Sequence, residues 1–96
     1  MLHTVSSSPF SSPSLGHCLR YAEQQSEILL IEDAVIAAID CGQWQQPLTS
    51  SGCRIYVLRE DLVARGINHK ITKSFEVVDM NGFVGLTERH VKQMKW

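Results

Sequence analysis

Glu27-Ile28-Leu29-Leu30-Ile31-Glu32-Asp33 is the stretch that decides the fold. Successive side chains of a strand point to opposite faces, so four adjacent aliphatic residues make both faces apolar. That is the pattern of an interior strand in a parallel sheet, covered on both sides. Parallel neighbours must be joined by long crossover connections, usually helices. Asp33 reads as the cap of such a helix over Ala34–Asp40, and Gly42 stands where it would stop.

The alternation continues in both directions. Upstream, Met1–Val5 reads as a strand and Ser6–Ser14 as a Ser/Pro-rich connection. Ser12 followed by Pro13 predicts a helix start, with a capping hydroxyl and a proline at the first helical position. Leu15, Cys18, Leu19 and Ala22 then fall at i, i+3, i+4 and i+7, one apolar helical face. Downstream, Gln43–Gly52 is a polar connection with no period. Arg54–Leu58 is a strand, and Glu60 and Asp61 precede a short helix, Leu62–Arg65, closed by Gly66. Phe75–Val78 is a further strand. Phe83, Val84, Thr87 and Val91 keep helical spacing, with Asp79 or Asn81 as candidate caps, and Gln93–Trp96 reads as a short final strand. Alternating elements with buried strands predict a parallel sheet with helices on both faces.

The chain has 96 residues, a formal net charge of −1, 44% hydrophobic residues and 20% charged ones. That length predicts one domain, 1–96, and the hydrophobic content excludes disorder. A domain this small buries only ~60–65% of the surface its unfolded chain exposes, so outside support is expected from a disulfide, a metal or a partner. Near-neutral charge excludes a strong electrostatic grip on nucleic acid or an anionic membrane. The three cysteines, Cys18, Cys41 and Cys53, form no CxxC, and an odd count fits a reducing cytosol. The first residues lack the basic and apolar regions of a signal peptide. The longest apolar runs, Ile28–Ile31 and Ala34–Ile39, are far short of the ~20 residues that span a bilayer.

In a parallel sheet, chemistry gathers at the carboxyl ends of the strands. That edge would carry Ser6–Ser8, Glu32 with Asp33, Arg59 to Asp61, and Asp79. No glycine stands in Ser6-Ser7-Ser8-Pro9, which excludes a dinucleotide or P-loop cradle. Glu32, Asp33, Glu60, Asp61 and Asp79 have the chemistry of a phosphate-receiving or magnesium site. Capping accounts equally for Asp33 and Asp61, and the lysine a receiver needs is represented only by Lys92 and Lys95. His3, His17, His69 and His90 show no i, i+4 pair, so no zinc site is expected. By periodicity Cys18 is a small core hydrophobe; His17 beside it faces another way on a helix. Cys41 and Cys53 have no base partner in the sequence. Trp44, Trp96, Phe10 and Phe83 are candidate core or interface anchors.

The order and spacing of several pieces carry a resemblance that runs the length of the chain. Met1-Leu2-His3-Thr4, Ser8-Pro9-Phe10, Leu29-Leu30-Ile31-Glu32-Asp33, Val57-Leu58 with Asp61-Leu62 and Arg65-Gly66, Val78-Asp79, Phe83-Val84, Leu86-Thr87 and Gln93-Met94-Lys95-Trp96 resemble the TusB/DsrH family. The resemblance implies a three-layer α/β/α fold with a parallel sheet of about five strands, DsrE/F/H-like, in agreement with the alternation. It implies the smallest subunit of a sulfur-relay complex with TusC-like and TusD-like partners, a dimer of heterotrimers, or the DsrH counterpart in sulfur oxidisers. Sulfur would arrive through a TusA-like donor, leave through a TusE-like acceptor and end in 2-thiouridine at the tRNA wobble position. The principal sulfur-accepting cysteine of such complexes belongs to the TusD-like subunit, so this chain would be an auxiliary partner with no cofactor, in the cytoplasm.

The alternative implied is a direct carrier. DsrH-type members have a cysteine in a Ser-Leu-x-x-Cys-Leu stretch, which Ser14-Leu15-Gly16-His17-Cys18-Leu19 matches, whereas some TusB members have an apolar residue there. A Cys18 thiolate would attack a donor persulfide, keep the outer sulfur and yield it to the next thiolate. That chemistry requires an accessible thiolate, and the helical register of Cys18 predicts partial burial.

Overall fold

The computed structural model describes residues 1–96. Five strands, β1 (Leu2–Val5), β2 (Glu27–Leu30), β3 (Arg54–Leu58), β4 (Glu76–Val78) and β5 (Gln93–Lys95), pair in the order β4-β3-β2-β1-β5. Every pairing is parallel. β2 occupies the middle of the sheet, with all four residues buried, as its unbroken apolar run requires. The first three crossovers step in one direction and the last returns across the sheet. A right-handed crossover rule therefore sends the final helix alone to the opposite face.

Packing follows that topology. On one face Val5, Ile28, Leu30, Ile55 and Val57 meet α1 (Ser14–Tyr21), a 3₁₀ helix (Glu32–Ala38), α2 (Gln45–Ser50) and α3 (Arg59–Ala64) in a core of 14 buried residues. On the other face Leu2, Leu29 and Tyr56 meet only Leu86 of α4 (Met80–Arg89), a core of 4, flanked by Ile31, Val78 and Phe83. The three-layer α/β/α architecture is thus lopsided, and its thin side depends on one helix. No helix is long and apolar enough to cross a membrane.

Several local expectations change. Helix α1 begins at Ser14 with Pro13 in the cap position, and the Ser12 hydroxyl accepts from the Ser14 N–H at 3.3 Å. The segment after β2 is 3₁₀ rather than α, and Asp33 does not cap it. Three residues per turn stack i on i+3, and Ala34 with Ala37 and Val35 with Ala38 are all buried. That tighter coil lays both pairs against the sheet. Helix α2 lies in the stretch read as a polar connection, because it buries Leu48 alone. Helix α3 starts three residues before Leu62, and Gly66 closes it at φ +68°, where glycine avoids the Cβ penalty.

Helix α4 also turns a different face inward. Phe83 and Leu86 pack on the sheet, whereas Val84 is 49% exposed and Val91, beyond the end of the helix, is fully exposed. Gly82 sets this orientation: a Cβ there would stand 2.9 Å from the Val78 Cβ. Asp79 caps the helix as expected, its carboxylate accepting from the Gly82 N–H at 2.9 Å. Asp79→Ala should lower stability by about 1 kcal/mol, or roughly 4–8 °C in Tm. Thermal unfolding followed by circular dichroism checks this; an unchanged Tm would show that α4 does not rely on its cap.

Candidate functional site

The carboxyl edge collects the acidic residues named from the sequence, and the carboxylates of Asp33, Glu60, Asp61 and Asp79 are engaged within the fold. Asp61 Oδ2 accepts from the Glu32 N–H at 2.7 Å, where the chain leaves β2 at a positive φ of 50°. Arg65 binds the Asp33 carboxylate at 2.8 Å and lies 3.7 Å from that of Asp61. Glu60 Oε2 accepts from the Met80 N–H at 3.3 Å, and Arg59 stands 3.8 Å from Asp79. These bonds tie α3, α4 and the 3₁₀ helix to one another. No three His, Cys, Asp or Glu residues converge in a way that could hold a metal ion.

The three cysteines are free and lie in different surroundings. Cys18 is fully buried in the larger core, and burial, reinforced by Cys53, pushes its thiol up to about 12. His17 is exposed, so these sequence neighbours face opposite ways. Cys41 is exposed at a positive φ of 61°, and its N–H donates to Gln45 Oε1 at 2.6 Å. Cys53 is half-buried just before β3, its thiol donating to the Glu23 carbonyl at 3.5 Å. Of the four aromatic candidates, Trp44 and Trp96 pack on the larger core and Phe83 on the smaller one, whereas Phe10 is 67% exposed.

The most concentrated polar site lies at the opposite, amino edge. Glu27, the first residue of β2, is buried on the thin face. Tyr56 Oη donates to its Oε2 at 2.8 Å, and Arg89 Nη2 donates to its Oε1 at 2.6 Å. His90 Nε2 meets the same Oε1. Burial alone would raise the Glu27 pKa, but the bonds from His90, Arg89 and Tyr56, with the charge of Arg89, hold the carboxyl near 2. Arg89 is correspondingly pushed up by Glu27 and Tyr56. Arg54, in register with Glu27 on the neighbouring strand, is pushed up by Tyr56, Glu27 and Glu76. A cavity of about 710 Å³ opens beside this network, lined by Gln25, Glu27, Gly52, Cys53, Arg54, Arg89 and His90.

Sequence reasoning missed this site. A glutamate at the head of an apolar run reads as an ordinary boundary, and its partners stand 29, 62 and 63 residues away. On the other face of the same edge, buried His3 accepts from Trp96 Nε1 through Nδ1 at 3.1 Å and meets Tyr21 edge to face. Burial, followed by the nearby α-amino group, lowers the His3 pKa and favours the neutral ring that this bond requires.

Comparison with known proteins gives a consistent result. The family described as "DsrH like protein" matches residues 7–93. Protein TusB of Escherichia coli strain K12 is 36% identical over 96 residues, spanning 100% of both chains. Among solved structures, the crystal structure of the ychN protein from Escherichia coli superposes with a TM-score of 0.79 at 18% identity, over 99% of this chain and 97% of that one. The solution structure of protein Tm0979 from Thermotoga maritima gives 0.67 at 21% identity, over 96% and 97%. At those identities the two structures establish the shared fold.

Proposed function

Because this chain belongs to the DsrH-like protein family, we propose that it is an auxiliary subunit of a TusBCD-like sulfur-relay complex. The observation that carries this reading is the full-length match to TusB. In this reading residues 1–96 form one TusB-like unit, which sits with TusC-like and TusD-like subunits in a dimer of heterotrimers in the cytoplasm. Persulfide sulfur enters from a TusA-like donor, rides on the TusD-like subunit and leaves through a TusE-like acceptor toward 2-thiouridine at the tRNA wobble position. The chain itself holds no nucleic acid, in keeping with its net charge of −1.

Two features support a supporting role over a carrier role. A nucleophilic cysteine must be an accessible thiolate, and the thiol in the Ser14–Leu19 motif is buried and protonated. Exposed Phe10, Val63, Val77, Met80 and Val84 leave apolar surface that a partner would cover. The rival reading, Cys18 as a direct persulfide carrier, keeps the motif match in its favour and requires helix α1 to lift from the sheet.

Co-expression with TusC-like and TusD-like chains tests the assignment. A complex containing all three on size-exclusion chromatography is expected, together with loss of wobble 2-thiouridine when this chain is deleted. Recovery of a stable monomer that ignores both partners would refute it.

A further inference from the structure

The amino-edge cavity holds a set of groups that maintenance of the fold does not use up. Glu27 is the only carboxylate in its lining, and its two oxygens are already taken by Tyr56, Arg89 and His90. Arg89 spends only Nη2 on those contacts, at 2.6 Å to Glu27 and 3.4 Å to Tyr56. Its Nη1 and Nε donate to nothing in the chain. Arg54 lines the same cavity, is exposed and enters no ion pair. Glu76, the other acid near Arg54, lies in register with Tyr56, makes no ion pair with Arg54, and lines a groove under α4 as well as a neighbouring cavity that Arg54 and Cys53 share. Guanidinium donors therefore outnumber available acceptors along this wall. The buried Glu27 fixes the position of one of the two.

We propose that this cavity binds the phosphate or sulfate group of a small anion, with Arg54 and Arg89 as its guanidinium anchors. A guanidinium presents parallel N–H groups that match two oxygens of a tetrahedral oxyanion, and two such forks on one wall give orientation as well as charge. The lining is polar apart from Cys53, which suits a hydrated anion and not an apolar ligand. At about 710 Å³ the space exceeds a bare ion, so an organic phosphate fits as readily as inorganic phosphate. No part of this site depends on the sulfur-relay assignment.

Cys53 supplies the readout, because it is one of the residues lining the cavity while exposed Cys41 lies elsewhere on the surface. The full-length protein is alkylated with N-ethylmaleimide, and the rate at each cysteine is followed by peptide mass. Sodium phosphate and glycerol phosphate form separate arms, with sodium chloride at equal ionic strength as the reference. A ligand at about ten times its Kd should slow Cys53 by roughly an order of magnitude and leave Cys41 unchanged. The arm that protects at the lower concentration identifies the free ion or the organic ester as the preferred source. Arg54→Gln, an exposed substitution at a residue that makes no ion pair, should weaken protection roughly tenfold with the circular dichroism spectrum unchanged. Absence of protection in both arms, equal protection by chloride, slowing of Cys41 to the same extent, or full protection in folded Arg54→Gln would overturn the proposal.

Discussion

Glu27→Ala is expected to lower stability by about 3 kcal/mol, which for a chain of this size is roughly 12–24 °C in Tm. The substitution removes a buried carboxylate and leaves the Tyr56 hydroxyl, Arg89 and His90 without their acceptor. Breaking a buried ion pair typically costs about 3–5 kcal/mol; the low end applies because the Arg89 side chain is 57% exposed and water screens part of the interaction. Because Arg89 and His90 end helix α4, the same change frees the C-terminal end of the one helix on the thin face.

The pH dependence has a definite sign. The folded carboxyl titrates near 2, below its ordinary 4.5, so its contribution is complete above 4.5 and is lost as the pH falls from 4.5 to 2. Glu27→Gln should flatten that limb of the stability curve while keeping the shape of the side chain. Urea unfolding at several pH values across this window measures it. A wild-type acid limb that survives intact in Glu27→Gln would assign the effect to other carboxylates.

Cys18 should be the slowest thiol in the molecule by a wide margin. A thiol moved from near 9 to about 12 has roughly a thousandfold smaller thiolate fraction at neutral pH, and full burial slows reagent access further. Alkylation of the native protein should therefore label Cys41 readily and reach Cys18 only after denaturant is added. In the assembled complex, a sulfur donor should leave Cys18 unmodified by peptide mass, and a folded Cys18→Ala variant should retain sulfur flux. Persulfide mapped to Cys18 under native conditions, or flux lost in folded Cys18→Ala, would transfer the carrier role to this chain.

What could be read in advance depended on how locally each feature is encoded. Ile28–Ile31 announces a strand covered on both faces without reference to any other part of the chain, and the strands and their parallel direction follow from the alternation around it, though not their order in the sheet. Asp79 and Gly66 are likewise local signals, a cap and a left-handed stop. The face of α4 was not legible, since Val84 and Val91 match the helical period as well as Leu86 does. The choice rests on Gly82 meeting Val78 across a gap only glycine permits. Helix α2 has almost no apolar signal beyond Leu48. The Glu27 network is invisible for a further reason: nothing about a single acid, a tyrosine or the pair Arg89-His90 indicates that folding will bring them together. The acids at the carboxyl edge show the converse. Their gathering was legible, but their use as fasteners for Glu32, Arg65 and Met80 was not.

The placement of β5 beside β1 has a consequence for how the chain acquires its structure. β1 is the second strand from the edge, yet one of its two neighbours is the last strand, and the His3–Trp96 bond joins residues 93 apart. During synthesis β1 therefore waits, with one edge unpaired, until nearly everything else has been made. The thin face stays uncovered for almost as long, because α4 immediately precedes β5. Contacts of such long sequence separation form slowly, and an open strand edge is a template for wrong pairing in the meantime. A nascent chain of this kind gains from company before it is finished. If partner subunits are made alongside it, assembly and folding become a single kinetic event, with misassembly limited by how soon they meet.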